Sequence, residues 1–207
     1  QYHLLESSGR LTEPMIKKGK SHEVVDWPKA INQTINGFSK FSGDEIAIIG
    51  SARMTNEELY LLKTLSDTLN TNIIDVIKVE GEGDDYLSHK DKRPNSNGAK
   101  AILNLKNPGS KLNTIKKRIN DGKIKALLVY GENILRFGFD EDVLENIKFI
   151  VSSHIQANPL AKLSNIILPG AGYAEKRGSM INATGRLQLL NKAIEPQGQS
   201  RDDWEIL

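Results

Sequence analysis

Short apolar runs alternate with amphipathic helical segments along most of this chain, and that alternation admits few folds. Glu45–Ile49 is a β-branched run ending at Gly50-Ser51. Thr55-Asn56-Glu57-Glu58 follows as a capping box, opening a helix with Leu59, Leu62, Leu65 and Leu69 on one stripe. Asn72–Ile77 then reads as a return strand, completing a βαβ unit whose two strands run parallel. Upstream, Asp26 and Pro28 mark a helix start, with Trp27, Ile31, Ile35 and Phe38 at helical spacing. Downstream the alternation repeats. Ser110 is expected to cap a helix carrying Leu112, Ile115 and Ile119, with Gly122 at its stop. Lys125–Tyr130 reads as a fully buried strand ending at Gly131, and Asp140 starts a short helix through Val143, Leu144 and Ile147. Phe149–Ser152 and Asn165–Leu168 are two further strands, separated by a helical turn near Pro159–Leu163. The pattern predicts an α/β fold with a Rossmann-like, mostly parallel sheet.

Three stretches depart from the pattern. Residues 1–23 are polar and irregular, which suits a docking arm or linker better than a core element. Residues 78–100 are rich in Gly, Asn, Asp and Lys, and read as a long polar loop between a first α/β half, 24–77, and a second, 101–207. From Gly172 onward the chain becomes an irregular tail, in which Gly178 and Gly185 flank a stretch suited to a hairpin with positive-φ turns.

Among the 207 residues there is no cysteine. Its absence excludes disulfides, thiolate zinc sites, cysteine nucleophiles and any cysteine-held iron–sulfur cluster within this stretch. The histidines (His3, His22, His89, His154) are scattered and show no metal-ligand spacing. No run of eighteen apolar residues is long enough to span a bilayer as a helix, and no signal-peptide core follows the N-terminus. The start at Gln1 reads as a cut from a longer parent. A net charge of +2, with both signs well mixed, does not form the clustered basic face that nucleic acid requires. Lys116-Lys117-Arg118, the densest basic cluster, reads as a solvated helix face.

In open parallel sheets ligands bind outside the carboxyl ends of the strands. Three expected strand ends are small or polar: Gly50-Ser51-Ala52-Arg53, Gly131-Glu132-Asn133 and Ser152-Ser153-His154. If their strands are parallel they line one edge, where glycines let backbone amides approach a phosphate. No GxGxxG or GxxxxGK[ST] is present, and small residues are also what tight βα turns require. Glu175 and His154 are the acid/base candidates, although nothing at short spacing orients either, so a hydrogen-bonded structural role is the simpler expectation.

The tail carries a resemblance. A strand ending in Leu168-Pro169, then Glu175-Lys176, Gly178, Asn182, Gly185-Arg186, Gln188, Pro196, Gly198 and Asp203-Trp204, is similar to the strip that marks the molybdopterin oxidoreductase family. Upstream, GRLTEPMIKKG with DWPKAI resembles the family's lead-in segment, and SARMTNEELYLLKTL resembles its first crossover helix. GDDYLSHKDKRPNSNGA looks more like the large iron–sulfur subunit of bacterial NADH:quinone oxidoreductase (complex I) than like formate dehydrogenases.

The resemblance implies an α/β fold of the molybdopterin-oxidoreductase type. Family enzymes that bind molybdenum place a Cys, selenocysteine or Ser on the metal; here there is no Cys, and no Ser stands in a recognisable ligand context. The expectation is therefore a scaffold and interaction domain without cofactor or catalytic residues of its own. Its parent would carry iron–sulfur clusters upstream and sit peripherally on the inner face of the membrane. Its partners would be the cluster-bearing domain and other complex I subunits, with Trp27, Tyr60, Tyr173 and Trp204 as anchor candidates. The alternative is a piece of an active, formate dehydrogenase-like molybdenum enzyme. Gly131, Asn133, Asn182, Gly185 and Arg186 would then contact the pterin nucleotide, and in the scaffold reading the same residues would line a vestigial site.

Overall fold

A computed structural model describes residues 5, 7–84 and 86–207. Its centre is a seven-stranded sheet. In chain order the strands are β1 (Met15–Lys18), β2 (Ser21–Val24), β3 (Ile46–Ser51), β4 (Ile74–Ile77), β5 (Ala126–Tyr130), β6 (Phe149–His154) and β7 (Ile166–Pro169). Their spatial order is β2-β1-β7-β6-β5-β3-β4. β4, β3, β5, β6 and β7 run parallel, and the β1–β2 hairpin adds antiparallel to the β7 edge. The strands β8 (Gly178–Ile181) and β9 (Leu187–Leu190) form a separate hairpin.

The side-chain alternation of the central strands explains why both faces are covered. Ile46 and Ile48 of β3, Ala126 and Leu128 of β5 and Val151 of β6 enter one apolar cluster. Ala47 and Ile49, Leu127 and Val129, and Ile150 enter the other. The helices α1 (Trp27–Phe38), α2 (Asn56–Thr68) and α3 (Ser96–Ile102) cover the first face through residues including Trp27, Leu59, Leu62 and Ala99. The helices α4 (Leu112–Asn120), α5 (Glu141–Leu144) and α6 (Pro159–Leu163) cover the second through Ile115, Ile119, Leu144 and Leu160. Each such fully buried aliphatic side chain contributes about 1.5–3 kcal/mol. A last turn, α7 (Asp203–Ile206), packs Ile206 into the first cluster.

The expected α/β class with a largely parallel sheet is what the structure has. Several local readings hold as well. Asp26 caps α1 by accepting the Lys29 amide at 2.8 Å, and Thr55 with Glu58 forms the capping box of α2. Ile35 is an exception on the predicted α1 stripe, since it is 60% exposed.

Other elements differ from the sequence reading. Most of residues 15–23 of the polar lead-in, with Val24 just beyond it, form β1 and β2, because the β7 edge supplies backbone partners that local composition does not reveal. Strands from before and after residues 78–100 share one sheet, with β5 directly against β3. The late part of that polar stretch also starts α3. Ser110 does not cap α4. The amides of Gly109 and Lys111 instead reach the buried carboxylate of Asp75 in β4, at 2.8 and 2.7 Å. Gly178 and Gly185 do flank a hairpin with positive φ, +153° and +85°, and close approach adds a second reason at Gly178, where a Cβ would lie 2.7–2.8 Å from Glu57 and Thr55 at the start of α2.

Candidate functional site

The three small or polar strand ends meet. β3, β5 and β6 are adjacent and parallel, so Arg53, the Gly131–Asn133 segment and Ser153-His154 share the carboxyl edge of the sheet. Gly131 turns the chain there with φ +69°, a conformation that side chains disfavour. The next residue, Glu132, is buried. Its carboxylate accepts the Ser51 hydroxyl at 2.6 Å and pairs with the Arg93 guanidinium at 2.9 Å.

Two adjoining cavities open at this edge. One, of about 520 Å³, is lined by Arg53, Arg93, Asn133, Arg136 and His154 among others. Its neighbour, of about 450 Å³, shares Arg53, Gly131 and His154 and adds Ser153, Lys176 and Asp203. Both volumes are typical of small-molecule sites. Three buried polar atoms of the first cavity's residues have no hydrogen-bond partner: Arg93 Nε, Asn133 Oδ1 and His154 Nε2. Burial pulls the His154 imidazole down to about 4, against a weaker opposing effect of its hydrogen bond with the Glu132 backbone, so the ring is neutral at pH 7.

Gly131 and Asn133 thus lie on the first cavity. Asn182, Gly185 and Arg186 do not join them. They form the turn between β8 and β9, where Asn182 Oδ1 accepts the amides of Thr184 and Arg186 at 3.1 and 2.9 Å, and Arg186 is exposed. A tie from Asn97 Nδ2 to the Asn182 carbonyl, 2.7 Å, holds this turn against α3.

Glu175 is fixed structurally. It forms a buried ion pair with Arg10 and accepts the Gly172 amide. Lys176 binds Glu58, at 2.9 Å to each carboxylate oxygen. Reasoning from the sequence missed Arg93 and Arg136 as cavity residues, and no short-range spacing marks either. Of the anchor candidates, Trp27 is core: its indole donates to the Gln199 carbonyl at 2.9 Å and Arg201 stacks 4.6 Å from the ring. Tyr60 and Tyr173 are exposed, and Tyr60 and Trp204 line a third cavity, about 680 Å³, between α2 and the β8–β9 hairpin. Among the described residues no group of three or more His, Cys, Asp or Glu is placed to hold a metal ion. No helix among them is long and apolar enough to cross a membrane.

Residues 87–207, more than half of the chain and the whole of the motif-bearing strip, match the model of the molybdopterin oxidoreductase family. The chain belongs to the molybdopterin oxidoreductase family. Similar members include the F420-dependent formate dehydrogenase subunit alpha of Methanocaldococcus jannaschii, 39% identical over 107 residues, which are 49% of this chain and 16% of that protein. The NADPH-Fe(3+) oxidoreductase subunit alpha of Geobacter sulfurreducens is 32% identical over 103 residues, 48% of this chain and 12% of that protein. The NADH-ubiquinone oxidoreductase 75 kDa subunit of Reclinomonas americana is 33% identical over 93 residues, 44% of this chain and 13% of that protein. The matched stretch is thus a small part of each of these family members. Acetylene hydratase from Pelobacter acetylenicus shares the family fold, with a TM-score of 0.64 at 7% identity over 98% of this chain and 61% of that structure.

Proposed function

We propose that this chain is a scaffold and interaction domain of an NADH:quinone oxidoreductase subunit in a respiratory electron-transport chain. In this reading the iron–sulfur clusters that carry electrons lie elsewhere in the parent polypeptide, and the domain packs against them and against neighbouring subunits. The parent would sit peripherally on the inner face of the membrane. The observation that carries the reading is how the charged residues of the family strip are used. Glu175 and Lys176 tie the tail to Arg10 and to α2 by buried ion pairs, and Glu132 at the strand edge is held by Arg93 and Ser51. Each of these groups is engaged in a tie that holds the fold together, including Lys176 and Glu132, which border the strand-edge cavities. The chain also supplies no cysteine, and the 75 kDa NADH-ubiquinone oxidoreductase subunit is among its relatives.

The test uses the native assembly that contains the parent polypeptide. Metal analysis and pterin fluorescence after acid release are expected to find no molybdenum and no pterin, with iron present. Cross-linking mass spectrometry is expected to join this domain to other subunits of an assembly that oxidises NADH with a quinone. One molybdenum and a stoichiometric pterin per chain would overturn the reading.

One observation favours a second reading, a pterin-nucleotide-binding part of a formate dehydrogenase-like enzyme. Arg93 Nε, Asn133 Oδ1 and His154 Nε2 are unpartnered around one cavity that also presents Arg53 and Arg136. Buried polar groups are ordinarily satisfied, so this edge fits a polar, anionic occupant. Arg53, Arg136 and Asn133 would hold the nucleotide end of such a group. When bound, the pterin would supply the metal's dithiolene ligation. Within this chain the contribution would be binding and orientation, with His154 neutral at physiological pH. Release of a guanine nucleotide with the pterin from the purified assembly would select this reading over the first.

A further inference from the structure

Four ionisable side chains meet out of solvent beside the cavity that Lys176 and Asp203 line. Lys176 is bonded to both oxygens of Glu58, and Glu58 also accepts the Thr55 amide at 2.7 Å. Asp203 arrives from α7 and accepts the Ser153 hydroxyl of β6 at 2.9 Å. Asp202 beside it accepts the Trp204 indole N–H at 2.9 Å. Relative exposure is 0% for Glu58, 7% for Lys176, 7% for Asp203 and 8% for Asp202. The one ammonium of the cluster is thus paired with Glu58, while two further buried carboxylates, Asp202 and Asp203, lie within its electrostatic reach. A buried cluster with that imbalance lowers its energy by keeping a proton. Glu58 already accepts from the lysine and the backbone amide, whereas burial raises the carboxyls of both Asp202 and Asp203, which places the proton on the aspartates.

We propose that Asp203 is a proton-operated latch: with its proton it lets α7 lie against α2, and without it the like charge of Glu58 drives the C-terminal turn away from the cavity wall. Burial, reinforced by Glu58, pushes the Asp203 carboxyl up to about 7, and Lys176 with the Ser153 hydroxyl opposes that rise. The groups facing Asp203 come from every element packed around it. They are Glu58 of α2, Lys176 of the β7–β8 connection, Tyr130 of β5 and Asp202 of its own segment, with Arg53 and His154 also lining the cavity. Tyr130 stays protonated, because burial and then Asp203 and Glu58 raise it well above its usual value. The latch is therefore closed below neutrality and opens as pH rises through it. The mechanism does not depend on which occupant, if any, the strand-edge cavities take.

The experiment is infrared difference spectroscopy of the chain with isotope-labelled aspartate, combined with hydrogen exchange of α7. The expected result is a protonated-carboxyl band that disappears with a midpoint near 7 and is missing from Asp203→Asn. Exchange of α7 amides, corrected for intrinsic rates, should accelerate about tenfold between pH ~6 and ~8 in the parent and stay flat in Asp203→Asn. Glu58→Gln should lower the midpoint and Lys176→Met raise it, each by about one unit or more. An aspartate band already absent near pH 5, or equal acceleration in Asp203→Asn, overturns the proposal. Should Asp203→Asn not fold, the labelled parent and Glu58→Gln decide it: a midpoint that Glu58→Gln leaves unmoved overturns it equally.

Discussion

Lys176 places its ammonium 2.9 Å from both carboxylate oxygens of Glu58, the residue that closes the capping box of α2. One interaction therefore joins the tail strip to the first crossover helix across 118 positions of chain. Lys176→Met leaves Glu58 buried and short of a counter-ion, and is expected to cost about 3–5 kcal/mol. The double variant Glu58→Gln with Lys176→Met should recover part of that loss, because it removes the stranded charge together with its partner. Urea unfolding of the single and double variants measures the difference. Equal stability of Lys176→Met and the parent would refute the role assigned to this pair.

Asp75 performs a comparable task on the other face. Its carboxylate, fully buried in β4, accepts the amides of Gly109 and Lys111 before α4 and that of Val76 in its own strand, at 2.8, 2.7 and 2.8 Å. Asp75→Ala strands those amides and is expected to cost about 2–4 kcal/mol, well above the ~1 kcal/mol of an ordinary cap. Ser110→Ala, at the residue that local sequence favours as the cap, should lie within about 0.5 kcal/mol of the parent. Thermal unfolding of the two variants separates them, and a reversed order would show that the local cap matters after all.

The contrast between Asp75 and Ser110 shows where the sequence was legible. Features set within a few residues could be read: the Thr55 capping box, the Asp26 cap and the two-residue alternation through β3 and β5. The strand-end segments Gly50–Arg53, Gly131–Asn133 and Ser152–His154 were legible too, because parallel order follows from alternating strands and helices, and it places such ends on one edge. What could not be read was contact between distant positions. Met15–Lys18 becomes a strand only because β7 presents a free edge, and no local pattern announces that. Arg93 sits in a run that is polar by composition, yet its guanidinium is buried on Glu132, 39 residues later. Gly131 and Gly185 look equivalent as turn glycines, although one lies on the cavity and the other on the exposed hairpin turn.

His154 gives the fold a stability that depends on pH. In the unfolded chain its imidazole titrates near 6.5, and in the fold burial lowers it to about 4. Above pH ~6.5 both states hold the ring neutral, and the group contributes nothing to the pH dependence. As pH falls from about 6.5 to about 4, the unfolded state gains a proton that the folded state refuses, so up to about 3 kcal/mol of stability is lost. Asp203 acts with the opposite sign over an overlapping range, because its raised folded value favours the fold at low pH. The cleanest measurement is therefore the difference between His154→Gln and the parent by urea unfolding near pH 7 and near pH 4.5. The variant should gain about 2–3 kcal/mol relative to the parent on acidification. Parallel stability curves for the two proteins would show that His154 does not carry this dependence.

Asn95 closes the polar stretch that precedes α3, and its side chain joins three parts of the molecule. Nδ2 donates to the Met54 carbonyl at 2.8 Å and to Asn56 Oδ1 at 3.1 Å, while Oδ1 accepts the Ile181 amide of β8 at 2.7 Å. The residue is fully buried, so truncating it removes three hydrogen bonds in or at the edge of the interior. Asn95→Ala is expected to cost about 2–4 kcal/mol. Asn95→Asp should be worse than a neutral isostere would suggest, because it turns a donor toward the Met54 carbonyl into an acceptor. The loss should also be local before it is global. A two-stranded hairpin is marginal without tertiary support, so the β8 and β9 amides should exchange markedly faster in Asn95→Ala while those of β3 and β5 keep their protection relative to the variant's global stability. Uniform loss of protection across all strands would instead mean that the hairpin is held by something other than Asn95.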